Sequence, residues 1–226
     1  MNRCILMMAF VCLRLSLLAQ TVDVTTFEKG MKGEEVQLLD VRTAKEFNTG
    51  HLQGALQADF NKKPEFQDRV QYLDKSRPVY VYCLAGIRSA GAATWLRENG
   101  FKQVIEMDGG INAWKQAGKP LDGANPAPQM TTAEFIRATA NGTVLVDVGA
   151  SWCPPCRKME PIIAELQASN SVNFSLVKVD GGNDTDVMKS ITATTLPTFI
   201  IYKNGRETWR KAGPVMLGEL KAALAQ

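Results

Sequence analysis

Histidine occurs once in these 226 residues, at position 51. Metal centres built on several imidazoles are therefore excluded, and any cysteine nucleophile has one candidate imidazole base. Charge of one sign is also scarce. The formal net charge is +3, and setting aside Arg3 and Arg14 leaves about +1, so nothing calls for a nucleic-acid or acidic partner. Long hydrophobic runs are missing too. In Met1 to Ala19 the apolar stretches Ile5 to Leu13 and Leu15 to Ala19 are split by Arg14 and fall short of a bilayer span. This acid-free segment resembles a secretory leader cleaved after Ala19, and an uncleaved anchor is the competing reading. Cys12 lacks the small preceding residue of a lipoprotein signal and is not read as lipidated. Beyond the leader, cysteine is sparse: Cys83, Cys153 and Cys156. An odd count in an oxidising compartment implies a pair plus one thiol with a separate task.

With 45% hydrophobic and 22% charged residues, the chain has a globular balance and the length for two domains. After a short entry, strands are predicted at Glu35 to Val41, near Ala55, at Val79 to Tyr82 and at Gln103 to Met107. Between and after them come helices at Thr43 to Thr49, Glu65 to Leu73 and Ser89 to Asn99, and one ending at Ala117. Strands alternating with helices predict a mostly parallel sheet covered on both faces. Gly118 to Gln129, GKPLDGANPAPQ, reads as a semi-rigid linker. Beyond it the pattern predicts a helix Ala133 to Ala140 capped by Thr131 or Thr132, and then a strand from Val144. Further on come a helix to Ala168, a strand Asn173 to Val179, a short helix Asp184 to Ser190, a hairpin Thr198 to Lys211 and a helix Val215 to Leu224. The units so defined are a leader 1–19, a first domain 20–119, a linker 120–130 and a second domain 131–226.

The second domain centres on Val144 to Pro161, VLVDVGASWCPPCRKMEP. A buried strand runs into a helix start, where Pro154 and Pro155 are tolerated. A thiol there faces free amides and the positive end of the helix dipole, which favour thiolate. Cys153 is read as the exposed, low-pKa attacker and Cys156 as the partner that closes the disulfide. A zinc site needs four ligands, more than the available cysteines and the one histidine supply. The redox reading is preferred, with no metal and no cofactor.

WCPPC resembles the thioredoxin superfamily, and its extracytoplasmic thiol:disulfide members most of all. The resemblance implies that Asp147 is the buried acid acting as general base for Cys156, with Lys178 modulating it. Burial raises a carboxyl pKa by roughly 3–5 units at the extreme, whereas a solvated strand Asp would lack that role. It also implies that Pro197, in Thr195-Leu196-Pro197-Thr198, is a cis proline that shields the sulfurs and offers backbone to a substrate strand. Otherwise it is an ordinary strand-entry proline. Gly149 departs from the family, which often carries Trp there, and the missing ring leaves that wall open.

In the first domain Cys83 ends a predicted strand, and Cys83-Leu84-Ala85-Gly86-Ile87-Arg88-Ser89 wraps into a helix. Such a loop aims amides inward as an anion cradle; Gly86 permits a left-handed turn, and Arg88 adds charge or braces the loop. Val22 to Lys119 resembles the rhodanese sulfurtransferases through Leu39-Asp40-Val41-Arg42, Glu46-Phe47, Gly50 to Ala55, the Cys83 loop, and Gly109-Gly110 with Ala113-Trp114. The resemblance implies that Cys83 carries a persulfide cradled by backbone from Leu84 to Arg88. His51 then belongs to a bracing turn, and Asp40 with Arg42 to loop stitching. Phosphatase relatives have one more residue between Cys and Arg, so sulfur chemistry is preferred. An inert Cys83 in a docking module stays open, since Leu84 and Ile87 are apolar where thiosulfate-preferring loops carry positive charge.

The fold class is thus α/β in two domains, a rhodanese-like mostly parallel sheet and a thioredoxin-like mixed sheet, each flanked by helices. The expected function is an exported sulfurtransferase and thiol:disulfide oxidoreductase in which the Cys153/Cys156 dithiol reduces the Cys83 persulfide or other disulfides. The alternatives are a disulfide oxidoreductase for exported proteins with a docking or sensing first domain, and, more weakly, a non-catalytic scaffold. Expected partners are a sulfane-sulfur donor or an exported disulfide protein, and an external thiol reductant that is membrane-bound in one version. The expected place is the periplasm or another extracytoplasmic compartment.

Overall fold

The computed structural model describes residues 20–123, 128–169 and 172–226, so the leader and the centre of the linker lie outside the described residues. The first unit runs β1 (Gln20–Val22), α1 (Val24–Met31), β2 (Gln37–Asp40), α2 (Ala44–Phe47), β3 (Leu56–Gln57), α3 (Lys63–Val70), β4 (Val79–Tyr82), α4 (Ile87–Glu98), β5 (Val104–Met107) and α5 (Gly110–Gln116). Its five described strands are ordered β1-β5-β4-β2-β3 and all pair in parallel. The short entry expected from the sequence is in fact β1 and α1. Three residues are too few to show a strand period, and α1 buries only Phe27. Its start is marked by Asp23, whose carboxylate accepts the Thr26 N–H at 2.8 Å.

Alternation in VYVY sorts the side chains of β4 to two faces. Val79 and Val81 pack with Phe66, Val70, Ala92 and Leu96 under α3 and α4, whereas Tyr82 joins Phe27, Phe47, Ile111 and Trp114 on the other face. Small residues let α4 lie close: a Cβ on Gly91 would come within 2.8 Å of the Phe60 ring.

The second unit runs α6 (Thr132–Thr139), β6 (Thr143–Gly149), α7 (Pro154–Ala168), β7 (Ser175–Asp180), α8 (Thr185–Ser190), β8 (Thr198–Lys203), β9 (Arg206–Ala212) and α9 (Leu217–Ala225). Thr131 caps α6 in a reciprocal box with Glu134. The described strands are ordered β7-β6-β8-β9, with β6 and β7 parallel and the rest antiparallel. Asn204 and Gly205 hold φ of 50° and 80° in the hairpin turn, the left-handed pair that matches strand twist. Leu145, Phe199 and Ile201 pack under α7 and α9, and Val144, Val146, Val148 and Ile200 under α6 and α8.

The linker's described ends are pinned. His51 and Asp122 exchange backbone bonds at 2.9 and 2.8 Å, Trp114 Nε1 donates to the Pro120 carbonyl, and the Met130 N–H donates to Asp184 at 2.8 Å. The two units also touch directly. The Gln57 N–H, on edge strand β3, donates to the Trp152 carbonyl at 2.8 Å, and Asn48 Nδ2 donates to the Gly182 carbonyl at 2.5 Å. Trp152 lies 5.7 Å from the Phe47 ring and 5.1 Å from the Arg69 guanidinium, and keeps 7% of its surface exposed.

One buried ion pair stitches the first unit. Arg42 Nε and Nη2 donate to both oxygens of Asp40, and Nη2 also donates to the Gly50 carbonyl at 2.9 Å, with both side chains essentially sealed. Removing one partner strands the other charge. Arg42→Leu is expected to destabilise the first unit by about 3–5 kcal/mol, seen as a lower urea midpoint, and Asp40→Asn added to it should restore part of the loss.

Candidate functional site

The Cys83 loop follows from the end of β4. Gly86 takes φ of 100°, reversing the chain so that its N–H donates to Cys83 Sγ at 3.1 Å, and α4 starts at the next residue. From behind, the Ile111 and Asn112 amides donate to the carbonyls of Cys83 and Leu84 at 2.8 and 3.1 Å. A Cβ on Gly110, whose φ is +57°, would run 2.5 Å from the Cys83 carbonyl, so only glycine admits this close approach. Burial alone pushes the Cys83 thiol up. The Ser89 hydroxyl and the amides of Ser89, Ala85 and Gly86 outweigh it and hold the thiol below its ordinary value.

Of the predicted loop residues, Leu84 and Ile87 form an exposed rim, 40% and 86% accessible, and Ala85 is exposed beside them. Arg88 acts as the brace. Its guanidinium meets Glu46 bidentately at 2.6 and 2.8 Å, and together with the Thr43 hydroxyl and amide it brings the Glu46 carboxyl down to about 2. Ser89 and Glu46, which the motifs include without a role, and Glu106, which lies outside them, complete the site. Ser89 Oγ lies 3.4 Å from Cys83 Sγ and 2.7 Å from Oε1 of the buried Glu106. The hydroxyl has one proton, so Glu106, the Gly86 carbonyl at 2.9 Å and the Cys83 sulfur compete for it. Glu46 and Glu106 are 42 and 17 residues from their partners, and no local pattern signals such pairs.

The second sulfur centre lies where β6 meets α7. Cys153 is the N-cap of α7, its Sγ 3.4 Å from the Cys156 N–H, and the two cysteines form a disulfide with Cα atoms 5.2 Å apart. Asp147 faces the same helix, in register with Lys178 on β7 and Phe199 on β8. Burial raises its carboxyl pKa, Lys178 opposes the shift, and Glu160 adds to it. The Leu196-Pro197 bond is cis. The Pro197 carbonyl accepts the Gly213 N–H at 2.8 Å, which leaves its second lone pair as the backbone this residue can offer.

The sequence expectation of an exposed Cys153 is not met. Cys153 has no accessible surface, whereas Cys156 retains 8%. The cause is the first unit. Trp152 is inserted against Phe47 and Arg69 and bonded to Gln57, which draws Cys153 and Cys156 into one buried cluster with Phe47, Leu52 and Tyr82. A cleft of about 550 Å³ remains beside it, with Arg69 and Tyr72 on one side and Pro155, Thr195, Leu196 and Pro214 on the other. The two sulfur centres lie on the same C-terminal edge of the first sheet, because β2 separates β4, which ends at Cys83, from β3, which holds Trp152.

Comparison with known proteins accounts for both centres. Residues 23–117 match the model of the rhodanese-like domain, and residues 127–226 match that of thioredoxin. A thiosulfate sulfurtransferase GlpE of Shewanella oneidensis is 37% identical over 86 residues, covering 38% of this chain and 82% of that protein. A thioredoxin of Listeria monocytogenes is 34% identical over 77 residues, covering 34% of this chain and 75% of that protein. Among solved structures, the rhodanese-like domain of the Anabaena Alr3790 protein is 31% identical with a TM-score of 0.42, covering 50% of this chain and 89% of that one. The chain belongs to the rhodanese-like family through its first unit and to the thioredoxin family through its second.

Proposed function

We propose that the chain is an exported sulfurtransferase and thiol:disulfide oxidoreductase in which Cys83 carries a persulfide that the Cys153/Cys156 dithiol reduces. Sulfurtransferase and thiol redox roles in general follow from the two families. The observation that carries the finer reading is the Cys83 sulfur itself, buried yet held toward its anion by the Gly86 amide and the Ser89 hydroxyl, at a loop whose rim is open. The Cys83 thiolate attacks the outer sulfur of a sulfane donor, and the rest of the donor departs with the bonding electrons. Thiolate Cys153 then takes that sulfur from Cys83, and Cys156 attacks Cys153, expelling hydrosulfide and closing the disulfide. Asp147 accepts the Cys156 proton, and Pro197 lines the approach to the pair. An external thiol reductant regenerates the dithiol.

Since Cys153 is covered in the oxidised chain, transfer from Cys83 follows release of the Trp152 contact. Covalent linkage keeps the effective concentration of the two sites high throughout. The same coverage favours a second reading, in which the first unit docks on or senses the state of an oxidoreductase for exported disulfide proteins. No helix among the described residues is long and apolar enough to cross a membrane.

Three measurements bear on this. Thiosulfate or another sulfane donor should add one sulfur to Cys83 by intact mass, and Cys153→Ser should retain it where the native dithiol discharges it; no gain with any donor overturns the first reading. Cys83→Ser leaves reduction of a model disulfide protein unchanged under the second reading and under the first alike, but abolishes sulfide release only under the first. Ser89→Ala should raise the Cys83 pKa and slow its alkylation at neutral pH several-fold, with the pH–rate curve moved to higher pH.

A further inference from the structure

The wall beside Cys156 is open at Gly149. A Cβ there would lie 3.3 Å from Asp147 Oδ1 and 3.6 Å from both Cβ and Sγ of Cys156. Any larger side chain would therefore lie over the Cys156 sulfur. In its place is a cavity of about 310 Å³ lined by Gly149, Cys156, Asp147, Glu160 and Lys178, with Asp180 and Asp184 at its far side. Both cysteines are buried, but Cys153 has no exposed surface, whereas Cys156 keeps 8% and lines this cavity.

We propose that this cavity admits a small neutral or amine-bearing thiol that opens the disulfide by attacking Cys156, so that the reductant of the docked chain is a low-molecular-weight thiol. The proposal rests on the redox reading of the dithiol and names the class of its reductant. The thiol loses its proton and its sulfur bonds to Cys156 Sγ. The S–S bond breaks, and its electron pair leaves on Cys153 Sγ. A second thiolate attacks the sulfur of the first, releasing a small disulfide and Cys156 thiolate. Direction and chemistry agree. Cys153 caps a fifteen-residue helix with the Cys156 amide at its sulfur, which makes it the better leaving group of the pair. Asp147 Oδ1 is on the cavity side of Cys156, placed to take the incoming proton.

Charge selects among thiols. Asp147, Glu160, Asp180 and Asp184 face Lys178 as the single cation of the lining. Asp184 is occupied by the amides of Met130 and Asp180, and Asp180 Oδ1 by that of Gly182. The balance is acidic, so a thiol carrying a carboxylate is disfavoured against one carrying an ammonium group.

The test uses the oxidised full chain and follows opening of the disulfide by acid-quenched thiol counting. Rates with cysteamine, 2-mercaptoethanol and mercaptoacetate are each normalised to the same thiol acting on a small-molecule disulfide. Cysteamine is expected to exceed mercaptoacetate by about tenfold, and Gly149→Leu to slow cysteamine by about tenfold or more. Gly149→Ala, whose Cβ the site accommodates, should give a smaller slowing in a chain that folds normally. In Cys153→Ser, cystamine should leave its cysteamine adduct on Cys156, and Gly149→Leu should suppress it. Equal rates for the native chain and both Gly149 variants, or equal normalised rates for the cationic and anionic thiols, overturn the proposal. Failure of sulfur transfer from Cys83 would leave these readouts untouched, because they follow the disulfide alone.

Discussion

Much of this molecule's chemistry depends on one indole. Trp152 carries its carbonyl to the Gln57 N–H and its ring to Phe47 and Arg69. Burying a tryptophan contributes on the order of a few kcal/mol, and here it also covers an edge strand only two residues long. The neighbouring Cys153 is carried into the contact with it. The contact made by Trp152 thereby leaves its neighbour Cys153 with no exposed surface.

The short helix α2 links that contact to the other sulfur centre. Thr43 caps it and bonds Glu46, and Glu46 holds Arg88 at the foot of the Cys83 loop. The next residue, Phe47, packs on Trp152, and Asn48 donates to Gly182 in the second unit. Residues 43–48 therefore reach the Cys83 loop on one side and, on the other, Trp152 and Gly182 of the second unit. Arg88, which a motif search assigns to the anion, reaches Cys83 through this brace, because both arms of its guanidinium are engaged by Glu46. Covering of the dithiol and the shape of the Cys83 cradle thus share a support, though they belong to different families.

What the sequence reveals follows the range of the interactions. The cysteine pair at a strand-to-helix junction, the left-handed Gly86, the Asn204-Gly205 turn and the Thr131 cap are local, and local chemistry determines them. Alternating elements likewise suffice for the two sheets, because period-two and helical patterns reflect burial within each element. By contrast, β1 and α1 offer too few buried residues to show a period, and Glu46 and Glu106 meet their partners only after the sheet has formed. Exposure of Cys153 was misjudged for the same reason. A helix N-terminus is ordinarily open, and the surface that closes this one comes from Phe47, Gln57 and Arg69, nearly a hundred residues earlier in the chain. Gly149 was legible as a missing ring, but its meaning needed the distance to Cys156.

The same amides that would make Cys153 a strong nucleophile when uncovered make it a good leaving group when covered. Polarity of a disulfide is therefore set by access as much as by pKa. A small thiol that enters past Gly149 would attack Cys156, and the electron pair would go to Cys153, which the α7 amides stabilise. As a thiolate, Cys153 would carry its charge inside the apolar cluster with Phe47, Leu52 and Trp152, so the start of α7, with the Cys156 amide at the sulfur, is what makes that charge tolerable there.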